Sequence, residues 1–276
     1  MIGVRAHDYG KRTIEELLVV LRKAGFDAAQ LALPRAFEGI ESFDDIRPEH
    51  LECIRSAFEQ NGVAIPVFSC YLDISNPDDE LRKKAVETMK KCLAYSKEVG
   101  AYTVGTETSW PTLSELEKKQ RYPYMIDSIK RVVEEAQRID AKLAVEPVYR
   151  HPLDSVSAVL DLIEKVDDSK HLRIIFDPSN LLEYPDKTIQ KDYWREWLSA
   201  IGKYVDALHI KDFVPTEVKG GYTVTPLGKG VMEYAAISEW MREEKRPICL
   251  IRDEANPEWA KADIDFMKKH LYGLGG

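Results

Sequence analysis

The sequence predicts a single-domain α/β protein, a closed (β/α)8 barrel over residues 1–276, and three observations lead to that fold class. Short apolar runs alternate with long amphipathic runs along the whole chain, which is typical of a parallel sheet covered by helices. About eight such pairs are present, and each run is almost continuously apolar, as expected for a strand buried on both faces. A chain of 276 residues with 44% hydrophobic content is long enough for one such barrel.

The apolar runs define eight predicted strands. They span residues 2–6, 28–33, 64–69, 102–106, 142–148, 172–177, 207–211 and 248–252. Helix start and stop signals lie between them. Thr13 and Glu16 have the spacing of a capping box, and Gly25 is placed to end the helix that follows. A second helix is predicted over residues 78–99, and a third follows Pro257.

Two longer connections, residues 108–124 and 214–230, follow predicted strand ends. We expect both to be loops that project over the C-terminal face of the barrel, because substrates of such barrels bind on that face.

The composition limits the classes of partner. A formal net charge of −8 and a pI near 5.4 argue against nucleic-acid binding, which needs clustered Lys and Arg side chains. No apolar stretch approaches the roughly 20 residues of a membrane span, and residues 5–12 carry several charges where a secretory signal would be apolar. The cysteines lack the CxxC spacing of zinc or redox sites. We therefore expect a cytoplasmic protein that acts on a small sugar or polyol, without nucleic-acid or membrane partners; homo-oligomerisation stays open.

Polar residues end successive predicted strands at regular spacing. Glu146, Asp177 and His209 are 31 and 32 residues apart, close to the roughly 30 residues that one strand, one helix and two turns require. Glu107 ends the strand before them. A single polar residue at a strand end is usually structural, but three in phase predict side chains that meet at the C-terminal mouth, where (β/α)8 enzymes place their chemistry.

Two carboxylates and an imidazole offer a mixed oxygen and nitrogen site for a divalent metal ion. Hard oxygen donors favour Mn²⁺ or Mg²⁺, while Co²⁺ and Zn²⁺ stay open. Such an ion can hold the carbonyl and hydroxyl oxygens of a sugar and stabilise the enediolate that forms when a neighbouring C–H loses its proton. Two carboxylates on opposite faces of that carbon would invert it, because one removes the proton and the other returns it. This chemistry is that of an isomerase or epimerase.

Five motifs carry a resemblance to a known family. They are GFDAAQL near the start, then LAVEP, FDPSN, LHIKD and PLGKG, in that order along essentially the whole chain. In combination they resemble the xylose isomerase-like TIM-barrel superfamily of sugar phosphate isomerases and epimerases. The resemblance implies that Glu146, Asp177 and His209 are metal ligands and that Glu146 is also a catalytic acid or base. It further implies that Lys211 and Asp212 lie in the substrate pocket.

The chain departs from the family pattern at two places. The family ends its eighth strand with a glutamate ligand, whereas this chain reads CLIRDEANP, so Asp253 or Glu254 must take that place. Because side chains alternate along a strand, we expect only one of the two to point inward. We expect Asp253 to be the fourth metal ligand, and both residues are candidates for the second catalytic group. Asn180 stands where many relatives carry a histidine, and we expect it to bind substrate.

Five further residues are candidate substrate contacts, each with a structural alternative. His7 follows the first strand and would face either the substrate or a surface turn. Glu107 would hydrogen-bond the substrate or the metal ligands, or else form a salt bridge. Trp110 would stack on a sugar face or serve as a packing anchor. Arg150 and His151 follow the fifth strand, and Arg150 would bind a substrate carboxylate or phosphate, or form a salt bridge.

The combined interpretation is a divalent-metal-dependent isomerase or epimerase that acts on a ketose or related polyol, with C3 epimerisation of a ketose as the leading case. A lyase of the inosose dehydratase type is one alternative, because the same metal and base can expel a hydroxyl next to a carbonyl. A sugar-binding barrel without catalysis is the other, motivated by Asn180 and the irregular end of the eighth strand.

Overall fold

The computed structural model of the protein describes residues 1–183, 187–218 and 221–272 and contains eight parallel strands in a nearly closed barrel. The barrel strands are β1 (Ile2–Arg5), β2 (Ala28–Gln30), β3 (Val67–Ser69), β4 (Thr103–Thr106), β5 (Leu143–Val145), β6 (Leu172–Phe176), β7 (Val205–Ile210) and β10 (Cys249–Arg252), with a separate hairpin of β8 (Asp212–Pro215) and β9 (Tyr222–Thr225). The barrel order is β2-β1-β10-β7-β6-β5-β4-β3, and isolated bridges join residue 28 to residue 64 and residue 31 to residue 68. The predicted single (β/α)8 barrel is confirmed.

Helices connect the strands and cover the barrel from outside. They are α1 (Ile14–Ala24), α2 (Leu33–Ala36), α3 (Pro48–Asn61), α4 (Asp79–Glu98), α5 (Glu115–Ile139), α6 (Val156–Val166), α7 (Lys187–Ile201), α8 (Ala235–Glu243) and α9 (Ala260–Phe266), which a π-helical turn, Met267–Leu271, continues. The predicted capping box of Thr13 and Glu16 is present, and Gly25 ends α1 in the left-handed conformation. Of the helices in the described ranges, none is long and apolar enough to cross a membrane.

The two predicted loops are partly regular structure. In the first, only the residues up to Ser114 are irregular, because the Ser114 capping box starts α5 at Glu115 and the helix continues through Pro123. In the second, residues rich in β-branched and aromatic side chains pair as the β8–β9 hairpin. Residues 219 and 220 of that connection lie outside the described residues. The prediction of a loop is therefore wrong for these segments.

The barrel interior holds a small apolar layer below its C-terminal mouth. This inner layer is separate from the larger core between strands and helices and consists of Ala28, Val67, Ala144, Ile175, Ala207, Cys249 and Ile251. Side chains alternate along a strand, so a residue two positions further on returns to the same face. On six strands that residue is polar. These six residues, the polar layer, are Gln30, Ser69, Glu146, Asp177, His209 and Asp253.

The end of β10 is held by a buried ion pair. Arg252 Nε donates to Asp263 Oδ2 at 2.6 Å, and Asp263 Oδ1 accepts from Leu227 N at 2.8 Å. Arg252 also donates to the carbonyl oxygen of Thr225 in β9 at 3.0 Å. Arg252 is thus directed towards the hairpin and α9, and the next residue, Asp253, turns into the barrel mouth.

Gly105 in β4 completes the inner layer. A Cβ at this position would lie 2.5 Å from Val67 Cγ1 and 2.8 Å from Ile175 Cδ1. The missing side chain therefore makes room for two larger ones in the closed centre of the barrel.

Replacing Gly105 by alanine should destabilise the protein by about 1–3 kcal/mol, because the added methyl group overfills the barrel centre. The free energy of unfolding from urea titration measures the effect, with Val19→Ala, at an exposed position of α1, as the control. A Gly105→Ala variant as stable as the control would show that the barrel centre is less densely filled than described.

Candidate active site

Three polar residues converge at the ends of neighbouring strands. Glu146 follows β5, Asp177 follows β6, and His209 lies in β7. One ligand atom from each lies within 4.8 Å of the other two, and none of the three residues is more than 2% exposed. His209 Nδ1 lies 3.3 Å from Glu146 Oε2 and 3.9 Å from Asp177 Oδ2. The structure therefore brings together three of the four predicted metal ligands, which we call the triad.

Two atoms of the triad lack the hydrogen bonds that buried polar atoms normally make. Within the described parts of the chain, Asp177 Oδ2 and His209 Nδ1 form no well-aligned hydrogen bond. Each lies near an opposite charge instead, since His209 Nδ1 is 3.3 Å from Glu146 Oε2 and Asp177 Oδ2 is 3.4 Å from Lys211 Nζ. A divalent cation between the three side chains would satisfy both atoms, and Mn²⁺, Mg²⁺, Co²⁺ and Zn²⁺ all accept this donor set. The residues present therefore fit a metal ion.

The charges of the triad depend on one another. Burial acts to raise the pKa of Glu146, but the neighbouring His209 imidazole outweighs it and holds that pKa below its ordinary value. Burial acts to lower the pKa of His209, but the charges of Glu146, Asp253 and Asp177 raise it to about 9. Burial raises the pKa of Asp177 despite the nearby Lys211 ammonium. Without a metal the imidazole thus keeps a proton at neutral pH, and a bound cation would displace it.

Lys211 and Asp253 form a buried ion-pair cluster beside the triad. Lys211 Nζ lies 3.1 Å from Asp253 Oδ2 and 3.4 Å from Asp177 Oδ2, and Arg5 Nε lies 2.5 Å from Asp253 Oδ1. Burial acts to raise the pKa of Asp253, but Lys211 and Arg5 hold it far below its ordinary value. Asp253 is not among the residues whose ligand atoms group together, and both of its carboxylate oxygens contact cationic side chains. Its role as fourth metal ligand stays a prediction.

Asp253 and Glu254 both face the mouth, so the prediction that only one of them points inward is wrong. The alternation of a strand ends with β10 at Arg252, and Glu254 adopts a positive φ of 52°. Its Oε1 atom accepts a hydrogen bond from Tyr222 OH at 2.7 Å and lies 3.8 Å from Lys211 Nζ.

A cavity of about 310 Å³ opens above the polar layer, which is in the size range of small-molecule sites. The predicted site residues that line it are His7, Glu107, Trp110, Glu146, Arg150, Asn180, His209, Lys211, Asp253 and Glu254. His151 lies behind its wall, with Nδ1 3.6 Å from Glu107 Oε2. Asn180 forms hydrogen bonds with two other site residues: its Nδ2 donates to Glu146 Oε1 at 2.6 Å, and its Oδ1 accepts from Lys211 Nζ at 3.1 Å.

Glu107 differs electrostatically from the other carboxyl groups of the cavity. Burial and the charge of Glu146 raise its pKa to about 8. Burial and the nearby Arg150 lower the pKa of His151 to about 4. At neutral pH the pair therefore consists mainly of a carboxylic acid and a neutral imidazole, and Glu107 is able to donate a hydrogen bond into the cavity.

His7, Trp110 and Arg150 present free polar or aromatic groups to the cavity. Both ring nitrogens of His7 are buried without a hydrogen bond to any described residue, and burial together with Arg5 lowers its pKa to about 3. Trp110 is 64% exposed at the rim, which does not match a packing anchor. Arg150 stacks over the Tyr149 ring at 5.3 Å and has no salt bridge with the carboxylates of the described chain.

Sequence reasoning missed Arg5, Gln30, Tyr71 and Tyr222. Gln30 was hidden because the second strand was predicted to continue to residue 33, whereas it ends at residue 30 and Leu33 begins α2. A polar residue at the end of an apolar run would have been the signal, as it was for the triad.

Asp212 has a structural role instead of the pocket position that the resemblance implies. Its carboxylate is fully buried and accepts hydrogen bonds from the backbone N–H groups of Gly228, Gly230 and Met232 at 2.8–3.0 Å. A side chain at Gly230 would collide with that carboxylate. The motifs LHIKD and PLGKG therefore contact each other and fix the connection after the hairpin.

Comparison with known proteins shows which proteins the chain is similar to. L-ribulose-5-phosphate 3-epimerase UlaE of Escherichia coli (strain SMS-3-5 / SECEC) is 24% identical over 232 residues, which cover 83% of this chain and 77% of that protein. A D-tagatose 3-epimerase-like protein superposes with a TM-score of 0.78 at 17% identity, covering 99% of this chain and 97% of that one. D-psicose 3-epimerase, solved in the presence of D-fructose, superposes with a TM-score of 0.77 at 16% identity and covers 99% of both chains.

A third solved structure, the IOLI protein with a bound zinc atom, has a TM-score of 0.74 at 15% identity, with 99% of this chain and 97% of that one covered. At these identities the solved structures show a shared fold. The family model described as xylose isomerase-like TIM barrel matches residues 18–270. The chain belongs to the xylose isomerase-like TIM-barrel family.

Proposed function

We propose that this protein is a divalent-metal-dependent epimerase or isomerase that moves a proton on a ketose or related polyol through an enediolate. The observation that carries the proposal is the buried triad, in which Asp177 Oδ2 and His209 Nδ1 have no well-aligned hydrogen bond to a described residue, next to a cavity of about 310 Å³. The printed names of relatives, L-ribulose-5-phosphate 3-epimerase and D-psicose 3-epimerase, support the same reaction class.

The triad would hold the metal ion, with Mn²⁺ or Mg²⁺ favoured by two carboxylate donors. When bound, the cation would supply positive charge for the two substrate oxygens next to the reacting carbon. Glu146 would remove the proton from that carbon, because it is ionised, lines the cavity and has both oxygens fixed. Asn180 Nδ2 lies 2.6 Å from its Oε1, and Tyr71 OH lies 3.2 Å from its Oε2.

The second proton-transfer group would come from the other wall of the cavity, at the end of β10, three strands from β5 in the barrel order. Asp253 is held by Arg5 and Lys211 and is a weak base, because its pKa lies far below neutral pH. Glu254 has one oxygen bound by Tyr222 and remains 26% exposed, so we assign the second proton transfer to Glu254. Protonated Glu107 would donate a hydrogen bond to a substrate oxygen.

Arg150 would bind an anionic group on the substrate. Its guanidinium lies at the cavity rim without a carboxylate partner among the described residues, and Arg forms paired hydrogen bonds with phosphate. This geometry favours a phosphorylated ketose over a neutral one.

The Glu146→Gln variant should lose proton transfer, with kcat reduced by about 100-fold or more, because the amide cannot accept the proton. The assay incubates ketoses in D₂O and measures deuterium at the carbon next to the carbonyl by NMR. Circular dichroism checks that the fold is intact, and Glu134→Gln, at an exposed position in α5, is the matched control.

Wild-type protein that converts a ketose without taking up deuterium would contradict proton transfer to and from solvent. A product that has lost water would instead assign the protein to the dehydratase class. Binding of sugar with no turnover in the presence of metal would favour a binding protein.

Activity should disappear after exhaustive treatment with EDTA and return on addition of Mn²⁺. Asp177→Asn should weaken Mn²⁺ binding by more than about 100-fold, since loss of an outer partner alone typically costs 10–100-fold. Isothermal titration calorimetry of the metal-free protein gives the affinity. Unchanged turnover after chelation, or unchanged affinity in the variant, would rule out the triad as a catalytic metal site.

Arg150→Met should raise KM for a ketose 5-phosphate by about 10–100-fold, because one charge-assisted interaction contributes about 1.5–3 kcal/mol. KM for the unphosphorylated ketose should change little, and this ketose serves as the internal control. Equal effects on both sugars would argue against a phosphate contact at Arg150.

A further inference from the structure

Gln30 joins the two sides of the triad through hydrogen bonds. It is fully buried at the end of β2, and its Oε1 atom lies 2.7 Å from His209 Nε2. Its Nε2 atom lies 2.9 Å from Ser69 Oγ and 3.1 Å from Tyr71 OH. Tyr71 OH lies in turn 3.2 Å from Glu146 Oε2. A continuous series of contacts therefore runs from Glu146 through Tyr71 and Gln30 to His209.

When Glu146 is ionised, the donors and acceptors in this series of hydrogen bonds permit only one orientation of the Gln30 amide. A carboxylate only accepts hydrogen bonds, so Tyr71 donates its single proton to Glu146 and must accept from Gln30. In Gln30 only the NH₂ group can donate to Tyr71 OH, so the Gln30 carbonyl oxygen faces His209. A carbonyl only accepts, and His209 Nε2 must therefore carry a hydrogen. In the neutral ring Nδ1 is then unprotonated and able to bind a cation.

The opposite arrangement would be available without the link between Tyr71 and Glu146. The hydroxyl groups of Ser69 and Tyr71 can both donate to a carbonyl, so the Gln30 amide could turn by half a rotation. Its NH₂ group would then face His209 Nε2, and the neutral ring would carry its proton on Nδ1. That nitrogen, which faces Glu146 and Asp177, could no longer bind a metal ion.

We propose that Gln30, oriented by Ser69 and Tyr71, presents its carbonyl oxygen to His209 Nε2 and so leaves Nδ1 as the nitrogen that binds the metal ion. Gln30 and Tyr71 are positioning residues, since they act on the metal through the two ligands. The inference rests on the proposed function, because it requires a metal ion at the triad. Outer hydrogen-bond partners of metal-bound histidines commonly fix the tautomer, and their loss typically costs 10–100-fold in metal affinity.

The test uses metal-free protein labelled with ¹⁵N-histidine and titrated with Zn²⁺, a diamagnetic probe. In wild type the His209 signals should show a protonated Nε2 and a metal-bound Nδ1. Tyr71→Phe and Gln30→Met should each weaken Zn²⁺ binding by about 10–100-fold in calorimetry. Above pH 9, where the metal-free ring is neutral, both variants should also give additional His209 signals from the tautomer that carries its proton on Nδ1.

A double variant separates the relay, meaning the hydrogen-bonded series of Tyr71, Gln30 and His209, from a general structural role of these residues. Gln30→Glu places an acceptor opposite His209 whichever way the side chain turns, so the tautomer no longer depends on Tyr71. Adding Tyr71→Phe to Gln30→Glu should therefore reduce Zn²⁺ affinity much less than Tyr71→Phe does alone. Tyr9→Phe is the matched control, because Tyr9 OH is also buried but has no hydrogen bond within the described chain.

Two results would overturn the relay alone. Either Tyr71→Phe and Gln30→Met bind Zn²⁺ as tightly as wild type with unchanged His209 signals, or Tyr71→Phe costs the same affinity with and without Gln30→Glu. In both cases Asp177→Asn would still weaken metal binding by more than about 100-fold, so the proposed metal site would stand. Wild-type protein that binds no Zn²⁺ at the triad would overturn the proposed function and this inference together.

Discussion

Mutual neutralisation of buried charges at the barrel mouth is the constraint on which the rest of the site depends. Glu146, Asp177 and Asp253 are almost inaccessible to solvent, and a buried charge is costly unless it is paired. His209 and Lys211 lie within 4 Å of these carboxylates, and Arg5 contacts Asp253. A bound divalent cation would change this balance, and the proton on His209 is the charge that can leave in exchange.

The barrel divides these roles among its strands. β5, β6 and β7 carry the three ligands that converge, whereas β1 carries Arg5 and the end of β10 carries Asp253. β2 and β3 supply the neutral hydrogen-bonding groups, Gln30 and Ser69, that support the ligands from behind. The inner apolar layer below them is dense enough that β4 needs a glycine. Packing below the site thus positions a polar layer whose members hold one another in place.

The fold and the triad could be predicted from the sequence because both follow from local patterns. Continuous apolar runs reveal buried parallel strands, and regular spacing puts Glu146, Asp177 and His209 at equivalent strand ends. The orientation of Glu254 and the ion pairs of Asp253 could not be predicted in the same way. Alternation does not extend to Glu254, which adopts a positive φ of 52° beyond the end of β10. The ion pairs of Asp253 depend on Arg5, which is 248 residues earlier in the chain.

The network around Gln30 was hidden for a related reason. Hydrogen-bond partners such as Tyr71 and Glu146 follow different strands, β3 and β5, and no spacing in the sequence indicates which donor faces which acceptor. Assigning the boundary of β2 three residues too late was enough to remove Gln30 from the predicted site.

The most direct measurement of the central claim is anomalous X-ray diffraction from crystals grown with Mn²⁺. The account predicts one strong manganese peak at bonding distance from Glu146, Asp177 and His209, with His209 coordinating through Nδ1. Crystals without a peak at these three side chains, or with a peak elsewhere and the three side chains turned apart, would contradict it.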